Sequence, residues 1–300
     1  MTPRFLLCLL LACPLVAVAE EPAETETFTF RFAPPDGQRV LVAARMSRER
    51  LIDGQLQATD VSDSTTDGVF RKVQDGYEFT TRLDEATMTR NGQPLSDPVT
   101  PQLMGLDIVY RIGADGSLQG IRGFDRLEKM VLKAVPPQMA AALAPMVSEA
   151  AMVAREQAEW NGRYYDFADG EFAIGDVIDV KAPYMLPNGQ SIEYVIRTRI
   201  RSYVQCPAGR CVKVEQLYES DAHALAQMVA GMVQAVAGDE APSVGSVRIA
   251  GSLVRVIDPA TMRIYSERVQ RTLHMPLEIP GRGAVPSMLR EQRDYGYTYY

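Results

Sequence analysis

The chain has 300 residues, 38 acidic against 31 basic, for a formal charge of −7 and a pI near 5.1. An acidic chain with no dense Lys/Arg block is a poor partner for nucleic acid or for an anionic membrane surface. An apolar fraction of 46%, with charges spread along the chain, excludes a disordered protein and allows one large domain or two modest ones.

The N-terminus reads as an export signal. Arg4 precedes an apolar run from Phe5 to Ala19, and Ala17-Val18-Ala19 is the small-x-small pattern that signal peptidase cuts. The run falls short of the roughly 20 residues that a spanning helix needs. Residues 1–19 are therefore expected to be a cleaved signal peptide, with no transmembrane segment in the mature chain. Leu10-Leu11-Ala12-Cys13 also matches a lipobox, which gives an alternative in which Cys13 is lipidated and anchors the protein. Against that alternative, Pro14 and the apolar Leu15 to Ala19 would follow the lipid where a polar tether is usual. Either fate places the protein outside the cytoplasm, in the periplasm or secreted. Residues 20–27, acidic and bearing Pro and Thr, read as a flexible leader.

From Phe28 the pattern is largely β. Phe28, Phe30 and Phe32 alternate with Thr29 and Arg31, the period of a half-buried strand. Further strands are expected around turns at Asp67-Gly68, Asp75-Gly76 and Asn91-Gly92, the last suited to a type I′ hairpin. A hairpin closes at Ala114-Asp115-Gly116. The period then changes: Leu127, Met130, Val131 and Ala134 recur at helical spacing, and Pro136-Pro137 ends that helix and opens another. Met139, Leu143, Met146, Ala150 and Val153 form one stripe, kinked at Pro145, in a helix that ends near Gly162.

The second half repeats the programme. Strands are expected on either side of Asn188-Gly189, with a return strand after Cys211. Ser220 reads as the N-cap of a helix to about Ala237, whose apolar face carries Leu225, Met228, Val229, Met232, Val233 and Val236. Two more strands meet at Asp258-Pro259-Ala260-Thr261, and the tail alternates Tyr295, Tyr297 and Tyr299. The stretch Met88 to Gln93 matches Met185 to Gln190, which suggests a duplicated meander-plus-helix unit. The expected fold is α+β: a large curved antiparallel sheet, half-barrel-like, covered by a few Ala/Met-rich helices. The expected segments are 28–162 and 163–300, which could also form one joint domain. The tyrosine tail faintly resembles an outer-membrane barrel strand, but Ala/Met-rich helices have no place in a bare barrel. A last edge strand or a sticky tail is the expectation.

Few residues offer chemistry. Cys206 and Cys211 flank Pro207-Ala208-Gly209-Arg210 between β-rich segments, within disulfide reach across a hairpin and in an oxidising compartment. A redox pair wants two intervening residues at a helix N-terminus, and a zinc site wants two more ligands. A structural disulfide is expected, with no metal and no cofactor. His223 and His274 lie far apart outside any catalytic signature, and Glu149, Glu156 and Glu159 are spaced as a solvated helix face. Met130, Met139, Leu143, Met146, Leu225, Met228 and Met232 make an adaptable apolar surface. It either packs on the sheet or leaves a cleft for a hydrophobic ligand.

The segment Tyr110 to Met130, with Asp115-Gly116, then Ile121 and Gly123, then a helix at Asp125, resembles exported bacterial proteins of unknown function. The layout also resembles the curved-sheet periplasmic carriers of the LolA/LolB type. That resemblance implies a sheet closed by helices around acyl chains, and it carries no functional residues across. The leading expectation is a non-enzymatic envelope protein that binds a lipid, an acyl chain or an envelope partner in a sheet–helix cleft. The alternatives are a structural or protein-interaction module without a small ligand, and a hydrolase whose site is assembled only by the fold.

Overall fold

The structure, a computed structural model, describes residues 26–95, 100–185, 191–222, 226–227, 230–231, 234, 243–244, 247–279 and 283–300. The expected signal peptide, the expected leader up to residue 25 and Cys13 lie outside them. The first strands are β1 (Thr27–Thr29), β2 (Arg39–Ile52), β3 (Gln55–Val73), β4 (Gly76–Arg90) and β5 (Gln93–Pro94). A four-residue helix, α1 (Thr100–Leu103), precedes β6 (Asp107–Gly113) and β7 (Leu118–Arg122). Three helices follow: α2 (Phe124–Ala134), α3 (Pro137–Val147) and α4 (Glu149–Arg163). Then come β8 (Glu171–Ala173), β9 (Val177–Met185), β10 (Ser191–Cys206), β11 (Gly209–Ala222) and β12 (Ser243–Val244). The chain closes with β13 (Val247–Ile257), β14 (Ile264–His274), β15 (Leu277–Ile279), β16 (Gly283–Val285) and β17 (Ser287–Tyr299).

One antiparallel sheet dominates, in the order β7-β6-β4-β3-β2-β17-β14-β13-β11-β10-β9, with β5 added beside β4. The fold is therefore mainly β with a few helices, rather than a balanced α+β protein. Among the described residues the sheet is open, with β7 and β9 at its edges. Helix α4 touches both of those edge strands, so the sheet bends far enough for one helix to span them. No helix among the described residues is long and apolar enough to cross a membrane.

The C-terminal strand is not at an edge. β17 lies mid-sheet between β2 and β14, and thirteen residue pairs from Ser287↔Ile52 to Tyr299↔Val40 zip the end of the chain to its start. Its odd positions face the core. Tyr297 and Tyr299 pack there, and the Tyr299 hydroxyl donates to the Ile264 carbonyl at 2.9 Å and accepts from its N–H at 3.1 Å. The sheet thus runs unbroken through segments 28–162 and 163–300.

Several turns stand where the residues predict them. Asn91 (φ 50°) and Gly92 (φ 78°) form the left-handed pair of the β4–β5 hairpin. The β13–β14 turn is closed by Asp258, whose carboxylate accepts from the Ala260 N–H at 3.0 Å and the Thr261 hydroxyl at 2.6 Å. Asn188-Gly189 lies outside the described residues, between β9 and β10.

Other expectations are overturned. Asp67-Gly68 is no turn but the interior of β3, because a Cβ on Gly68 would meet the Phe79 ring at 2.7 Å. This glycine serves ring packing, not chain reversal. Phe28 alone of its trio sits in a strand, since β1 stops at Thr29; Phe30 and Phe32 drop into the core, fully and 92% buried. Ser148 ends α3 and caps α4, accepting from the Ala151 N–H at 3.3 Å, so the stripe expected across Pro145 is broken in two. The new phase buries Met152 and Trp160 and leaves Ala150 exposed. Ser220 is not an N-cap: β11 continues to Ala222, and Ser220 is buried opposite Ile249. The helix therefore starts later than expected: residues 226–227, 230–231 and 234 are helical, and the rest of the expected span lies outside the described residues.

Candidate functional site

The bent sheet offers two faces. On the face that carries α4, the core cluster is centred on an aromatic plug. Phe79 stacks on Phe70 with ring centroids 4.1 Å apart, and Trp160 lies 5.8 Å from Tyr110 and 4.6 Å from Tyr164. The motif Asp115-Gly116, Ile121, Gly123 serves this plug. Gly116 lies so close under Phe32 that a Cβ would sit 2.9 Å from it, and Ile121 is buried. Gly123 takes φ 108° at the start of α2, where a Cβ would meet the Asp107 carbonyl oxygen at 2.6 Å.

Below the plug sits a buried ion cluster. Glu267 accepts from Arg255 Nε at 2.7 Å and from an Nη of Arg163, the last residue of α4, at 3.0 Å. Burial pushes the Glu267 carboxyl up, but the two guanidiniums overcome it and hold its pKa down at about 2. Glu156, expected on a solvated face, is half-buried beside Tyr110, and burial with repulsion from Glu159 raises its pKa. Glu149 is exposed, as expected.

Farther along the same face a row of charges crosses five strands. The register places Arg90, Asp60, Arg48, Glu291 and Arg271 directly side by side on β4, β3, β2, β17 and β14. Arg90 forks onto Asp60 at 2.7 and 3.0 Å. The Glu291 side chain is only 3% exposed and fully engaged. One oxygen takes Arg48 Nε and Nη2 at 3.2 and 2.7 Å, and the other takes Arg271 Nη2 and Arg293 Nε, both at 2.8 Å. Burial raises this carboxyl, but Arg271, Arg48 and Arg293 win and hold it low. Those arginines are themselves about one-third exposed. Beyond Arg271 the row meets Gly251, whose missing side chain makes room for Tyr218. The Tyr218 hydroxyl donates to the Gln270 carbonyl at 3.3 Å, and burial pushes it up to about 12 against the opposing pull of Arg271. Around the row, Met46, Met88, Leu253, Val269, Leu273 and Leu289 are half-buried on the same face.

The opposite face carries ion-pair ladders such as Arg45–Asp63, Arg197–Asp179 and Arg268–Asp294. A shallow trough of about 1000 Å³ crosses it. Its floor follows one cross-strand row, Glu85–Thr65–Ala43–Gly296–Ser266–Val256–Lys213, of mostly small side chains.

The sequence-derived candidates are scattered. Met130, Leu143 and Met146 are half-buried on α2 and α3, and none of them lines the trough. The Met139 side chain and Leu225, Met228 and Met232 lie outside the described residues, as does His223; His274 is exposed at the end of β14. Cys206 and Cys211 are brought together with Cα atoms 5.8 Å apart and sulfurs at bonding distance. The loop is tighter than expected, however: Pro207 and Ala208 alone form it, Cys206 faces Gly209, and Cys211 faces Val204. The pair is therefore diagonal rather than directly opposed. Among the described residues no group of His, Cys, Asp or Glu is placed to hold a metal ion. The arginine row escaped the sequence reading, though a signal was present. Leu289, Glu291 and Arg293 are in phase with Tyr295, Tyr297 and Tyr299, so charge alternates onto the same face as the aromatic tail.

No family model matches the chain, and no curated protein is similar to it in sequence. Among solved structures, lipovitellin is similar at 7% identity and a TM-score of 0.45, over 88% of this chain. The chain spans 26% of that protein's length. A protein assigned as exported, with a YmcC-like fold, from Bacteroides fragilis is similar at 12% identity and a TM-score of 0.22, over 87% of this chain and 97% of the other. One assigned as a lipoprotein, from Parabacteroides distasonis, gives 9% identity and 0.22, over 87% and 96%.

Proposed function

We propose that this is a non-catalytic extracytoplasmic protein that holds an acyl-chain lipid against the helix-bearing face of its sheet. One observation carries the reading. Beyond the aromatic plug, that face continues as half-buried Met46, Met88, Leu253, Val269, Leu273 and Leu289, an apolar wall that the plug does not fill. Methionine and leucine side chains at such a wall adapt to flexible chains. In this reading the half-buried Met130, Leu143 and Met146 on α2 and α3 belong to the same ligand surface. The signal-like N-terminus and the paired cysteines support a place outside the cytoplasm.

A second reading, a module for an envelope protein partner, is favoured by the trough on the opposite face, which is open and floored by small residues. Native mass spectrometry of the mature protein, followed by titration of the delipidated protein with a fluorescent fatty acid, separates the two. A co-purifying lipid or saturable binding supports the lipid reading. A clean apo mass with no fatty-acid binding overturns it and leaves the partner reading.

A further inference from the structure

We propose that Arg48, Arg271 and Arg293 form an oxyanion-binding site, which receives the carboxylate or phosphate head of the ligand. The inference deepens the lipid reading and rests on it for the ligand's tail, but the anion site itself stands on separate observations.

The first is charge surplus. Arg48, Arg50, Arg271 and Arg293 share one face, with Glu291 in their midst and Glu159 of α4 acting on Arg293. Asp60 is already forked by Arg90. Among the described residues this face therefore carries two more arginines than carboxylates, on an otherwise acidic protein.

The second is geometry. Glu291 has its acceptor positions filled by four N–H groups, and it orients the three guanidiniums from three neighbouring strands. Arg271 spends one Nη on Glu291 and Arg48 spends Nε and one Nη, so N–H donors remain on side chains about one-third exposed. Planar guanidinium forks match the oxygens of carboxylate and phosphate, and a site whose donors are already held by a buried partner loses little entropy on binding.

The third is continuity. Met46 precedes Arg48 by two positions on β2, Val269 precedes Arg271 on β14, and Leu289 precedes Glu291 on β17. Cross-strand register sets Met46 and Val269 beside Arg293, and Leu289 beside Leu273 on the other side of Glu291, so apolar side chains flank the cluster on one face, where the tail of a ligand held by its head would lie.

The test is calorimetric titration of the delipidated mature protein with laurate, with methyl laurate and with inorganic phosphate, repeated on Arg271→Gln and on the charge-keeping Arg271→Lys. Laurate should bind the wild type at least ten-fold more tightly than methyl laurate, and Arg271→Gln should erase that preference, with Arg271→Lys intermediate. Equal affinity for laurate and methyl laurate in the wild type overturns the anion site while leaving the lipid reading intact. Phosphate binding that Arg271→Gln abolishes, with no binding of either laurate compound, supports the anion site and sinks the lipid reading. No binding of any probe overturns both. The wild-type comparison decides the matter even if a variant fails to fold.

Discussion

The indole N–H of Trp160 donates to the carbonyl oxygen of Gly116 at 2.8 Å in a buried hydrogen bond. It ties the only tryptophan, on α4, to the β6–β7 hairpin at the edge of the sheet. The ring also meets Phe32, Tyr110 and Tyr164, so one side chain joins the helix, the hairpin and the N-terminal segment.

Trp160→Phe leaves the Gly116 carbonyl buried without a donor and should cost about 1–3 kcal/mol. Trp160→Ala empties the plug and should cost about 3–5 kcal/mol. Urea midpoints should fall in that order with the slope unchanged. A Trp160→Ala variant as stable as the wild type would show that α4 is dispensable to the sheet.

The Glu267 cluster makes stability depend on acid. Its carboxyl titrates near 4.3 when unfolded and at about 2 when folded. The lower folded value means that the stabilisation is complete above about pH 4.3 and is lost as pH falls toward about 2. Glu267→Gln should cost about 3–5 kcal/mol at neutral pH, because Arg255 is left buried, and Arg163 half-buried, without the carboxylate that pairs them. Its unfolding midpoint should also change less than that of the wild type between pH 5 and 2. Parallel acid curves for the two proteins would remove Glu267 from the account.

Gly68→Val should destabilise by about 1–3 kcal/mol through overpacking against Phe79 and Val40. Paired with Phe79→Leu it should recover part of that loss, because the obstructing ring is gone. If Gly68→Val alone is neutral by thermal melting, the close approach to Phe79 is not what keeps this position small.

Replacing both cysteines by serine should cost stability at the low end of about 2–4 kcal/mol, since the closed loop is short. The hairpin is already fixed by a two-residue turn, so hydrogen exchange should quicken first in β10 and β11 near residues 203–212. Finding two free thiols in protein isolated from an oxidising compartment would contradict the paired state.

Much of the local structure was legible. The strands β13 and β14 with their turn at Asp258, the Asn91-Gly92 and Ala114-Asp115-Gly116 turns and the start of α3 at Pro137 lie where strand, turn and helix chemistry put them. Failures came where a local signal had a non-local cause. Asp67-Gly68 reads as a turn, yet Gly68 is small because a ring from β4 lies on it. Ser220 reads as a cap, yet it continues a strand whose partner is Ile249.

The candidate site was the least legible part, for a related reason. The sequence by itself determined the β-rich pattern and which face each strand residue takes, because these follow from composition and from a two-residue period within one segment. Only the tertiary structure decided that β17 lies against β2. That pairing brings Glu291 to Arg48 across 243 residues and turns single charges on separate strands into one row. Periodicity assigns a side chain its face, but its neighbour on that face depends on strand order and register, which are settled by how the whole sheet buries its apolar surface.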